Sequence, residues 1–264
     1  MSQRIISHLS RVDANMGALI AAFGPYRLER EQTCHPFQSL CRAIVYQQLH
    51  ANAAASILKR FIGTCTTADF PTPQFVLDAP VEELRAAGLS FAKIASLKDL
   101  AAKTAAGIVP DRDTLEALPD EAIIARLTEV RGIGRWTVEM LLMFQLGRAD
   151  ILPVDNFGVR NGFRLAYGLR KMPAPRALAA FGERWMPHRT AAAWYLWRAT
   201  EMHRAGTLPR PIERIRLPAQ RRRRKPARRT RITKTIKVAA ASSTPLRRSG
   251  ARTRPRRRPG PRSP

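Results

Sequence analysis

A chain of 264 residues, 45% hydrophobic and 25% charged, is long enough for one large or two small buried cores and too apolar to be disordered throughout. Its 46 Lys and Arg against 20 Asp and Glu leave a formal charge of +26, an excess that points to a polyanionic partner, nucleic acid above all. No apolar run approaches the ~18 residues of a membrane span, so no membrane partner is expected, and the three cysteines lack the paired spacing of a zinc or iron–sulfur site.

Residues 1–209 carry a 3.6-residue apolar period almost throughout and almost no alternating strand pattern, which predicts an all-α body. In HPFQSLCRAIVYQQL, the residues Phe37, Leu40, Cys41, Ile44, Val45, Gln48 and Leu49 form one stripe, interrupted by the amide of Gln48. Further helices are expected at about 51–62, 81–87, 91–106, 120–128, 135–146, 156–166, 175–184 and 189–204, separated by Pro and Gly. From Arg210 onward the character changes: 21 basic residues face a single acid, Glu213, and no aromatic residue occurs. The chain therefore divides into a folded core, 1–209, and a disordered Arg/Pro-rich tail, 210–264, suited to salt-sensitive contact with phosphates. Cys34, Cys41 and Cys65 read as small core residues of a reducing compartment. The expected location is the cytoplasm, with nucleoid association if the source is bacterial.

The most informative stretch runs from Leu127 to Gly162. A helix ends near Val130, Gly132-Ile133-Gly134 turns sharply, and a new helix begins at Arg135. The amides of Gly134, Arg135 and Trp136 then stand at a helix N-terminus, an arrangement suited to a phosphate. A glycine turn of this kind also occurs for packing alone. Pro153-Val154-Asp155-Asn156 follows after an extended connection and puts Asp155 at the start of the next helix. As N-cap it would accept backbone N–H bonds and stay ionised, which suits a charge stabiliser; a plain N-cap role fits equally well.

Hairpin and aspartate together resemble the helix-hairpin-helix glycosylase superfamily, HhH-GPD, and within it the DNA-3-methyladenine glycosylase II branch. Three further segments carry the likeness: AIVYQQLHANAA at Ala43–Ala54, LRAAGLSFAKIASLKDLA at Leu84–Ala101 and WMPHRTAAAWYLWR at Trp185–Arg198. The resemblance implies two helical lobes around a cleft. It also implies a monomeric enzyme that acts on double-stranded DNA containing alkylated bases, flips the damaged purine out and hydrolyses its N-glycosidic bond in base excision repair.

By the same resemblance Asp155 is the catalytic residue, Trp136, Tyr46, Trp194 and Tyr195 are pocket walls, and Gly132, Ile133, Gly134, Arg135 and Arg160 are DNA contacts. The family's hairpin cation would sit on the main-chain carbonyls of Thr128, Val130 and Ile133, and no cofactor is required. Superfamily members that also cleave the strand use a lysine at the position held here by Trp136, so only base hydrolysis is expected. Two other readings stay open: a non-catalytic architectural DNA-binding protein, and a glycosylase for deaminated or oxidised bases.

Overall fold

The computed structural model describes residues 2–29, 35–65 and 69–217. The expected disordered tail lies outside them from residue 218 onward, as does Cys34. Every regular element among the described residues is helical. Two helices open the chain, α1 at Ser2–Val12 and α2 at Ala14–Phe23. A middle group follows: α3 Pro36–Tyr46, α4 Ala51–Gly63, α5 Pro73–Asp78, α6 Val81–Ala86, α7 Phe91–Ala105, α8 Arg112–Ala117, α9 Asp120–Leu127 and α10 Arg135–Phe144. The last helices are α11 Phe157–Ala166, α12 Pro175–Gly182 and α13 Arg189–Arg204, with a single 3-10 turn at Glu183–Trp185.

Local chemistry sets most boundaries. Thr72, Ser90, Asp111 and Asn156 each accept a backbone N–H from three residues on, at the start of α5, α7, α8 and α11. Proline opens α3, α5 and α12, where its missing N–H costs nothing.

The packing falls into two sets. In the middle set α7 lies on α3 and α5, α9 on α10, and α10 touches α3. In the other set the chain ends meet: α1 and α13 lie on α2, and α11 lies on α13. At the α11–α13 crossing a Cβ added to Gly162 would stand 1.7 Å from the Leu196 carbonyl oxygen, so the two backbones touch and only glycine fits. That contact sets the direction of α11, and with it the position of the turn that precedes it. Asp13 ties the same set together: from a buried site its carboxylate accepts from Met16 N, Tyr167 OH and Trp185 Nε1.

Two expectations are corrected here. Helix α3 ends at Tyr46, so Gln48 and Leu49 leave the stripe and are exposed; Gln48 takes φ 58°. The folded body also continues past residue 209. Buried Asn15 accepts from the backbone N–H groups of Ile212 and Glu213 and donates to the Glu213 carbonyl, while Leu208, Ile215 and Leu217 pack against the core.

Candidate DNA-binding hairpin and base cavity

The hairpin joins α9 to α10. Ile133 is buried between them, and its N–H donates to the Val130 carbonyl. Gly132 carries φ 78°, and a Cβ there would approach Ser96 Oγ to 2.8 Å, so both backbone and packing demand glycine. Gly134 is different: its φ of −100° suits any residue, and nothing lies within 4 Å of an added Cβ. The space before it is open. The N–H groups of Gly134, Arg135 and Trp136 make no hydrogen bond among the described residues, leaving three donors at the positive end of α10.

Asp99 on α7 braces the turn. It accepts from Arg131 N at 2.7 Å and from Lys103 Nζ at 2.8 Å, while Lys103 also reaches the Glu129 carbonyl. Partial burial pushes the Asp99 carboxyl up, but the Arg131 N–H and Lys103 outweigh it and hold it below the usual range.

Beside the hairpin lies a cavity of about 630 Å³, bounded by α3, the turn after it and α10. Tyr46, 40% exposed, and Trp136, 48% exposed, are two of its walls; Met140, Leu141 and Phe144 continue the α10 side. Gln47 closes one edge by donating from Nε2 to the Gly132 carbonyl at 2.8 Å. Ser39, Gln48, Thr137 and Gln145 add neutral polar groups. No carboxyl, imidazole, ammonium or guanidinium group lines it among the described residues.

Asp155 occupies a turn closed by Asn156 N donating to the Pro153 carbonyl at 3.0 Å. It is not the N-cap. Asn156 takes that task, its Oδ1 accepting from Val159 N and from Trp197 Nε1, both at 2.9 Å. The Asp155 carboxylate is exposed and accepts no hydrogen bond among the described residues. It does not line the cavity, but its charge acts on Glu139, one turn along α10 from Trp136. Burial pushes the Glu139 carboxyl up, Arg135 opposes that, and Asp155 adds to it. Asp150, the neighbouring acid, is bound at both oxygens by Arg189.

The structure separates the remaining candidates. Trp194 and Tyr195 are not cavity walls: Trp194 is 6% exposed and packs edge-on against Phe23 and Tyr26, and Tyr195 is buried with its hydroxyl on the Gly24 carbonyl. Burial pushes the Tyr195 phenol up to about 12. Arg135 pairs with Glu121 at 2.6 Å and Glu139 at 3.0 Å, and Arg160 donates twice to the Pro173 carbonyl, so neither guanidinium stands free for phosphate. Periodicity hid Gln48 as a cavity-lining residue, because it continues the stripe of α3 after the helix has ended.

A model of the HhH-GPD superfamily of base excision DNA repair proteins matches residues 41–188. The chain is 43% identical over 196 residues to DNA-3-methyladenine glycosylase 1 of Schizosaccharomyces pombe, across 74% of this chain and 86% of the relative. A solved 3-methyladenine DNA glycosylase of the same yeast in complex with abasic DNA superposes with a TM-score of 0.67 at 42% identity, covering 75% of this chain and 97% of that one. A DNA-3-methyladenine glycosidase from Bacillus halodurans gives 0.68 at 31% identity, over 76% and 91%.

Proposed function

The chain belongs to the HhH-GPD superfamily of base excision DNA repair proteins, and we propose that it works as a monomer on duplex DNA, with Asp155 stabilising the sugar cation formed as an alkylated purine leaves. It is a DNA glycosylase, a hydrolase of N-glycosidic bonds acting on alkylated bases. The observation that carries the assignment of Asp155 is its freedom. A neighbouring asparagine caps the helix, so the carboxylate is uncommitted, and it stands close enough to α10 for its charge to reach Glu139.

The rest follows from the chemistry around it. The three free amides at Gly134, Arg135 and Trp136 receive a phosphate without a side chain in the way. Rotating the nucleotide out of the duplex costs a few kcal/mol, less where damage has weakened its pairing. Methylation at N3 or N7 leaves the purine cationic, and Trp136 and Tyr46 offer π faces worth ~1–2 kcal/mol to such a base in a desolvated cavity.

A cationic base leaves without being protonated, and the cavity holds no group that could protonate it. That favours alkylated purines over oxidised or deaminated ones, whose neutral bases need an acid. The Asp155 carboxylate then stabilises the positive charge at C1′ and orients the water that attacks there. Trp136 provides no amine, so no Schiff base forms and the strand stays whole. An architectural role alone leaves both the apolar cavity and the free carboxylate without use.

Glycosylases of this family generally need no cofactor. The hairpin carbonyls fit a monovalent cation. Those of Thr128 and Ile133 accept no hydrogen bond among the described residues, and that of Val130 keeps a lone pair beyond its bond from Ile133 N. A cation on them would add positive charge behind the bound phosphate.

The test is release of 3-methyladenine from methylated DNA in single turnover. Asp155→Asn is expected to bind duplex as tightly as the parent and to lose release by about 100-fold or more, the scale of removing one transition-state charge stabiliser. Undiminished release would overturn the role of Asp155.

A further inference from the structure

Affinity for DNA is dominated by phosphate neutralisation, and of the cations around the hairpin Arg131 is exposed while several others are engaged within the body. Arg135 is neutralised by two carboxylates and Lys103 by Asp99, and the donors of Arg160 and Lys93 face the carbonyls of Pro173 and Val45. Residues 218–264, by contrast, hold 18 Lys and Arg and no acid. Where that segment begins is fixed. Buried Asn15 grips Ile212 and Glu213 through three hydrogen bonds, Pro211 packs on Gly168, and Leu217 still touches the core.

Gly168 and Tyr167 end α11, whose other end carries the Asp155 turn. The ten-residue helix is ~15 Å long, a span that about five residues of extended chain cover at ~3.3 Å each.

We propose that residues 218–264 are a second, sequence-independent DNA-binding arm, launched from the Asn15 clip and gripping duplex phosphates beyond the damaged nucleotide. This deepens the glycosylase reading and rests on it. The body supplies the lesion pocket and the chemistry, and the arm supplies the electrostatic affinity, which holds the enzyme on undamaged DNA while it searches. Because 210–217 belong to the body, the arm is removed cleanly only by ending the chain at Leu217.

The experiment measures affinity for an undamaged 30-base-pair duplex between 50 and 200 mM salt, together with single-turnover release of methylated base at saturating protein. Three proteins are compared: the full chain, a form ending at Leu217, and the full-length variant R221A/R222A/R223A/R224A/K225A. Each phosphate contact contributes ~0.9 to the slope of log affinity against log salt. The five-charge variant is therefore expected to lose roughly 4 units of slope and the shortened form more, with the saturated release rate within about two-fold of the parent in both.

An unchanged slope in the shortened form overturns the arm. So does arm-dependent binding that structured RNA competes away better than duplex DNA. Release absent from all three proteins, with the slope difference intact, would sink the glycosylase reading and leave the arm standing.

Discussion

At the scale of single residues, two tryptophans that the family likeness both offered as pocket walls meet opposite fates. Trp136 follows the hairpin and stands half exposed as a cavity wall, whereas Trp194 is sealed among Phe23, Tyr26 and Tyr195. Truncating a buried indole removes transfer energy and opens a void, a cost of about 3–5 kcal/mol; truncating an exposed one costs little. Trp136→Ala is therefore expected to unfold within about 1 kcal/mol of the parent while single-turnover release falls roughly 5- to 30-fold, the worth of a ~1–2 kcal/mol cation–π contact. Trp194→Ala is expected to show the reverse, a large loss in denaturant midpoint with the residual folded protein still active. Equal effects of the two on release, at equal stability, would reassign Trp194 to the pocket. The adjacent pair Asp155-Asn156 makes the same point. Either residue type caps a helix, and only the positions of Val159 N and Trp197 Nε1 decide that Asn156 does so, which leaves the Asp155 carboxylate out of the cap.

Among the elements, the hairpin depends on a brace from another helix. Asp99 holds the Arg131 N–H and Lys103 from α7, and its carboxyl titrates below the unfolded value. A depressed carboxyl contributes stability above its unfolded pKa and loses it as the pH falls through the folded one. Protection of the 129–134 turn against hydrogen exchange, taken relative to the intrinsic rate at each pH, is thus expected to fall below about pH 4. Asp99→Asn should exchange faster already at pH 7 and lose that acid dependence, and an unaltered pH profile in this variant would show that Asp99 does not hold the turn.

Long amphipathic helices such as α3, α4 and α7 were legible in the sequence because their apolar period runs over several turns. Helices α1 and α2 were not, nor were the six-residue α5 and α8, whose single turns and a half show little period, although the equally short α6 was expected between its flanking prolines and glycines. The hairpin and the candidate aspartate, Asp155, announced themselves through glycine spacing and through the family likeness. Trp194 and Tyr195 did not separate from the pocket, because a helix buried on most of its faces presents aromatic residues in every direction.

For the molecule as a whole, the decisive boundary is where the folded body stops. Charge counting puts it at residue 209, because the basic composition begins there. Packing puts it later, because a lone polar residue in the otherwise apolar α2 needs partners, and Asn15 finds them in Ile212 and Glu213, 197 and 198 residues along the chain. Removing 210–217 would leave a buried amide with its acceptor and its donor both unpaired. It would also uncover the surface beneath Ile215 and Leu217. An orphaned buried polar group costs about 1–3 kcal/mol, and each kcal/mol moves Tm by about 2–4 °C in a body of this size. Ending the chain at Pro209 is therefore expected to lower Tm by roughly 4–8 °C relative to ending it at Leu217. Replacing Asn15 by Ala in the longer form should lower it by a comparable amount, since the backbone groups of Ile212 and Glu213 then lose their partner. The two changes act on one interaction, so combining them should add little to either alone. Full additivity in thermal unfolding would mean that Asn15 and the 210–217 segment stabilise the body separately, and the clip would no longer define where the basic chain departs.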